Sequence, residues 1–184
     1  MTFSLLVRDP STGALGAAVS SRFFAVGALT LAIEGDVAAL STQALVNPMY
    51  AVTGMARLRA REDPGAILAD LVAADAGAAH RQCHILDAQG RIAQHTGAAC
   101  IAWAGAVRGT DLSLAGNMLA GPAVLDRARD AFAAATGSLT ERMLTAMEAA
   151  EAAGGDRRGK QSAALRVCTR DPFPDLDIRA DDHP

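Results

Sequence analysis

Strand-forming and helix-forming stretches in this chain come in blocks: strands, two helices, strands, two helices, strands. A parallel sheet needs a crossover element between successive strands, whereas strands joined by short turns pair as hairpins. The block order therefore predicts an α+β fold of antiparallel sheets with helices stacked outside them. Residues 3–8 are an apolar run, Asp9-Pro10-Ser11-Thr12-Gly13 is turn chemistry, and residues 14–20 complete a hairpin. Strands at 28–33 and 37–40 repeat the pattern around Glu34-Gly35-Asp36, and Ser41-Thr42-Gln43 closes the last of them. Helices are expected from Asn47-Pro48 to about residue 61 and from Asp63-Pro64 onward, the second with Ile67, Leu68, Leu71 and Val72 at helical spacing. The next strands are 84–87 and 91–96, turning at Ala88-Gln89-Gly90, and then 112–116. Pro122 opens a helix to about residue 135, and Ser138-Leu139-Thr140-Glu141 is a capping box for a helix reaching 153. Strands at 163–168 and near 176–178 come last.

Composition narrows what those elements can build. Half of the 184 residues are apolar (51%) but only 4% are aromatic, so the core must be close-packed Ala, Leu, Val and Ile, and disorder is excluded. One domain over residues 1–184 is expected from that length. The net charge is -3, and the 17 basic residues are scattered, with Lys160 the only lysine, so nucleic acid is not an expected partner. No apolar run reaches about 18 residues, which argues against a membrane span. Arg8, Asp9 and Pro10 interrupt any signal-peptide core, and three cysteines, Cys83, Cys100 and Cys168, read as reduced thiols, so a cytoplasmic location is expected.

Thr2 opens the first strand directly behind Met1. Methionine is removed ahead of small residues, so a mature chain headed by a free Thr2 amine is expected. An α-amino group has an unperturbed pKa of roughly 7.7 to 8.0, suited to a general base at neutral pH. Nucleophile and base would then reside on one residue. Thr is also an ordinary second residue, and that reading stands beside the catalytic one. Asn117, at a strand end between Gly116 and Met118, can donate its amide to an oxyanion or satisfy a turn. Thr42 and Gln43 end a strand and lead to Asn47; all three are candidate substrate contacts, with Asn47 equally suited to capping the helix after Pro48.

Two tempting motifs do not hold. Residues 154–162 nearly spell a phosphate-binding loop, but the segment leaves a helix and enters a strand, so no helix N-terminus follows it. Cys83 and His84 are neighbours on a strand and point to opposite faces, and His80, His95 and Cys100 complete no standard zinc spacing. Neither a metal nor an organic cofactor is expected. Asp175, Asp177, Asp181 and Asp182 lack the glycine and spacing of a calcium loop.

Five segments carry a resemblance. Thr2-Phe3-Ser4, the stretch 20–27 around Arg22, the stretch 42–48 from Thr42 through Asn47, the stretch 116–121 around Asn117 and the stretch 155–164 from Gly155 to Ala164 resemble, in order, signatures of domain-of-unknown-function family 1028, an uncharacterised bacterial family classed with the N-terminal-nucleophile (Ntn) hydrolases. The resemblance implies a four-layer αββα sandwich of two antiparallel sheets and an amidohydrolase acting on a small amide. It implies supporting roles for Asp156 and Ser162 near the amine of Thr2 and a substrate contact for Gln161. Ntn enzymes of the proteasome type place a lysine beside the nucleophile; Lys160 lies too late in the order, so Arg22 is the basic candidate, acting electrostatically because it stays protonated. Family members continue with a further helix past the segment matching 176–184, so terminal packing or dimerisation is expected to differ. The rival expectations are a non-catalytic ligand-binding protein, favoured by the missing lysine, and a scaffold or homo-oligomer packed through Ala-rich helical faces.

Overall fold

A computed structural model describes residues 2–184; Met1, whose removal the Thr2 chemistry requires, lies outside the described residues. The turn at Asp9 makes the first hairpin: its carboxylate accepts from the Ser11 N–H and hydroxyl, and Gly13 takes the left-handed backbone (φ 78°) that closes the loop. Strands β1 (Thr2–Arg8) and β2 (Leu15–Ser21) pair across it, and β8 (Leu112–Asn117) pairs with the other side of β1. With β7 (Gly105–Gly109), β9 (Ser162–Cys168) and β10 (Leu176–Ala180) they form a six-stranded sheet of order β10-β9-β2-β1-β8-β7. The second sheet holds β3 (Leu31–Glu34), β4 (Ala38–Ala44), β5 (Arg81–Asp87) and β6 (Ile92–Thr96) in that order. Every pairing in both sheets is antiparallel.

Burial on two faces explains why β1 is apolar over most of its length, with Ser4 the one polar residue between Phe3 and Val7. Phe3, Leu5 and Val7 pack against α4 (Ala123–Ala134) and α5 (Leu139–Ala152), while Leu6 joins Ala17, Val19, Ala39 and Leu86 between the sheets. The far face of the second sheet packs Ala38, Leu40, Cys83 and Ile85 against α2 (Met49–Arg59) and α3 (Pro64–Ala74). With so few aromatics, small residues bring the layers close: a Cβ on Gly16 would lie 2.4 Å from Met143 Sδ of α5. Local signals fix the helix starts. Asp63 accepts from the Ala66 N–H ahead of Pro64, and Ser138 and Glu141 form the reciprocal capping box.

Strand β5 starts at Arg81, three residues before the expected 84, and three further elements depart from the sequence expectation. The stretch expected as a strand over 28–33 begins instead as the short helix α1 (Val26–Thr30) and becomes β3 only at Leu31. The cause is distant: Ser162 Oγ accepts the Val26 N–H, and Thr30 Oγ1 donates to the Val26 carbonyl within the turn. Strand β4 continues through Ser41, Thr42 and Gln43 to Ala44, because these polar residues are fully paired with β5 and buried. Strand β7, a partly exposed edge strand bounded by glycines, carries no alternating pattern and was not expected. The segment 154–162 does run from α5 into β9. No helix among the described residues is long and apolar enough to cross a membrane.

Candidate functional site

One rank of residues crosses the end of the large sheet. Register places Ser162 opposite Ser21, Ser21 opposite Thr2, and Thr2 opposite Asn117, on four adjacent strands. Directly opposed residues share a face, and this one is turned toward the second sheet, as Leu6 four residues along β1 shows. Thr2 Oγ1 donates to Ser21 Oγ at 3.2 Å, and Thr2 is 5% exposed. Asn117, also buried, donates from Nδ2 to Gln82 Oε1 of the facing sheet at 3.0 Å. The rank therefore brings Thr2 and Asn117 together.

Asp156, Ser162 and Arg22 tie down the loops beside that rank. Asp156 bridges to Leu119, and its carboxylate accepts the Arg22 N–H at 3.0 Å and the Arg158 N–H at 2.8 Å while pairing with the Arg158 guanidinium at 3.2 Å. Ser162 holds the 23–26 turn, accepting from Val26 N–H and donating to the Phe23 carbonyl. The Arg22 guanidinium donates to the Arg158 carbonyl, and the Gln161 N–H donates to the Ser21 carbonyl at 2.9 Å. Loops 22–26 and 156–162 are thereby laced together next to the end of β2.

The expected substrate contacts separate. Gln43 lies between the sheets, fully buried, accepting from Ser4 Oγ at 2.7 Å and donating to Gln82 at 2.8 Å. Thr42, its neighbour, faces the helices and donates to the Asn47 carbonyl at 3.2 Å. Asn47 steadies the start of α2: its Oδ1 accepts the Met49 N–H, and its Nδ2 donates to Asp75 at 3.2 Å. Asp75 also receives Arg81 Nε and the Gly77 N–H, and these donors, the Arg81 hydrogen bond first, hold its carboxyl well below the usual carboxylate range.

Sequence reasoning missed a polar seam that extends the rank inward. Ser4 Oγ lies 2.7 Å from His84 Nε2, and His84 Nδ1 lies 2.8 Å from Ser113 Oγ. Gln94 reaches Ser113 at 2.9 Å. Burial pushes the His84 imidazole down to about 3, so it is neutral at physiological pH. The signal was present as polar residues at every second position of buried strands: Ser41 and Gln43, Gln82 and His84. Cys83 points the other way, into the helix-facing core, where burial drives its thiol well above the ordinary range. Among the described residues, no group of three or more His, Cys, Asp or Glu is placed to hold a metal ion.

Comparison with known proteins adds a family and a fold. The model of a family of unknown function, DUF1028, matches residues 2–184. A crystal structure of a DUF1028 protein from Silicibacter pomeroyi is 32% identical; the match covers 100% of this chain and 79% of that one, with a TM-score of 0.92. No curated protein matches the chain.

Proposed function

The chain belongs to DUF1028, a family of unknown function, and from that premise we propose that it is an Ntn-type hydrolase of small amides built on a four-layer αββα sandwich. Thr2 is the nucleophile, and its α-amine, freed once whatever precedes it is removed, is the base. The amine takes the Oγ proton as Oγ attacks the amide carbonyl, and the oxyanion is met by the Asn117 carboxamide and backbone N–H groups. Collapse expels the amine with that proton and leaves a Thr2 ester. Water then gives a proton to the α-amine as it attacks the ester, releasing the acid and restoring the hydroxyl. Asp156, Ser162 and Arg22 hold the adjoining loops, and Gln161 and Gln43 lie beside the rank. No cofactor is required by these steps, and a cytoplasmic homo-oligomer is the setting proposed.

The observation that carries this reading is the register of Thr2 against Asn117, with the Thr2 hydroxyl in a hydrogen bond at the strand end. The test is a screen of small amides, ureides and acylated amino acids with protein whose intact mass shows a free Thr2 amine, alongside a Thr2→Ala control. Turnover by the first and none by the second supports the reading; equal turnover by both removes it.

A second reading, a non-catalytic ligand-binding or scaffold protein, is favoured by the burial of Thr2 at 5% exposure. It predicts a ligand bound equally by native and Thr2→Ala protein, with no product formed.

A further inference from the structure

The polar seam has a direction, and donors and acceptors can be counted along it. At one end Gln82 Nε2 lies 2.8 Å from the Gly116 carbonyl and 3.0 Å from the Gly105 carbonyl, with Thr96 Oγ1 also at 3.0 Å. Carbonyls only accept, so the Gln82 amide nitrogen must face them, and its Oε1 must face Gln43 Nε2 and Asn117 Nδ2. At the other end Gln94 Nε2 faces the Val107 carbonyl at 2.9 Å and its Oε1 accepts from Arg108 at 3.0 Å, which fixes that amide as well.

Between these ends the order follows. Ser4 gives its one hydroxyl hydrogen to Gln43 Oε1, beside that of Ser41, so His84 Nε2 must donate to Ser4 and Nδ1 must accept. That directs the Ser113 hydroxyl hydrogen to Nδ1 while Ser113 accepts from Gln94. Gln43 donates to Gln82, and Asn117 does the same from the large sheet. Each of these bonds pairs a donor with an acceptor without reversal, the condition under which a buried polar network rigidifies its members.

We propose that Gln82 is a positioning residue that fixes the Asn117 carboxamide: it engages one Nδ2 hydrogen, leaving the second as the single donor Asn117 can offer to a ligand oxygen. Gln82 lies on the opposite sheet and makes its bonds inside the seam. The part of the inference that concerns catalysis rests on the amidohydrolase reading; the part that concerns the orientation of Asn117 does not.

Nitrogen-15 NMR of the Asn117 side-chain amide, assigned by its loss in Asn117→Asp, separates the two. In the wild type one of its two hydrogens is expected to exchange with solvent at least tenfold more slowly than the other. Gln82→Met keeps the length but removes acceptor and donor, and should abolish that difference. Gln82→Glu, kept protonated by burial, retains an acceptor toward Asn117 and a donor toward Gly116 and should stay within threefold of wild type. Circular dichroism checks each fold, and Gln82→Glu against Gln82→Ala carries the test should Gln82→Met not fold. Exchange of the Asn117 amide unchanged in Gln82→Met and Gln82→Ala overturns the proposal. With a substrate in hand, Gln82→Met should lower kcat about tenfold with KM little changed, in keeping with mispositioning of a donor. Loss of the exchange difference with kcat intact confirms Gln82 as the group that orients Asn117 and strikes Asn117 from the oxyanion role.

Discussion

Ser4 and His84, 80 residues apart in sequence, join the two sheets through a 2.7 Å hydrogen bond between Ser4 Oγ and His84 Nε2. Both residues are fully buried. A neutral imidazole there links hydroxyls of two neighbouring strands, β1 and β8, and its tautomer follows from which of them donates.

His84 is therefore expected to be a neutral Nε2–H tautomer with no titration between pH 5 and 8. Its folded pKa, pushed down to about 3 by burial, lies below the ordinary value of 6.5. The unfolded chain then binds the extra proton first, so the stabilising contribution is whole above about pH 6.5 and is lost as pH falls toward 3. Well below pH 6.5 the loss approaches about 1.4 kcal/mol per pH unit. Urea denaturation at pH 5 and pH 7 should show that difference, and a His84→Gln variant should show less of it. A histidine resonance titrating near pH 6.5 and assigned to His84 would contradict the burial argument.

Ser4→Ala should destabilise by about 1–3 kcal/mol, because it strands the His84 Nε2 hydrogen in the interior. The volume lost is one oxygen, so packing alone predicts far less. Denaturant midpoints of Ser4→Ala and wild type decide it, and a change under about 0.5 kcal/mol, the range of an ordinary surface substitution, would count against the seam.

Ser162→Ala removes the group that accepts from Val26 and donates to Phe23. A cost of about 1–2 kcal/mol is expected, in the range of a lost helix cap. Backbone amide exchange should rise at residues 23–26 and leave α5 unaffected. Uniform loss of protection across the large sheet would instead assign Ser162 to the sheet itself.

At Thr2 the chemistry can be separated from the fold. An uncleaved N-terminal tag turns the amine into a peptide nitrogen with no useful basicity, so turnover should fall with every side chain intact. Thr2→Ser should keep part of the activity, and Thr2→Ala should lose at least about a hundredfold by removing the nucleophile. Equal rates for tagged, Thr2→Ala and native protein would exclude the mechanism.

Much of the scaffold was legible because its signals are local. The Asp9-Pro10 turn, Asp63 ahead of Pro64 and the Ser138–Glu141 capping box each need only a few consecutive residues, and each stands where expected. The two-faced burial of β1 was likewise written in its apolar run. Thr2 and Asn117 could be named from the chain, and Asp156 and Ser162 from the family resemblance, but the rank through Ser21 depends on register between strands over a hundred residues apart.

The sequence by itself thus determined the order of the strand and helix blocks, most helix starts and the apolar character of the layers, but neither α1 nor β7, since propensity, capping and periodicity act over one or two turns of chain. Tertiary structure alone decided that residues 26–30 coil into a helix, through a hydroxyl 136 residues away at Ser162. It also decided that Thr42 and Gln43 part to opposite faces, one toward the helices and one into the seam. Polar residues at every second position of a buried strand announce that partners exist; which ones they are is set only when two sheets pack, because unpaired polar groups are too costly to leave in the interior.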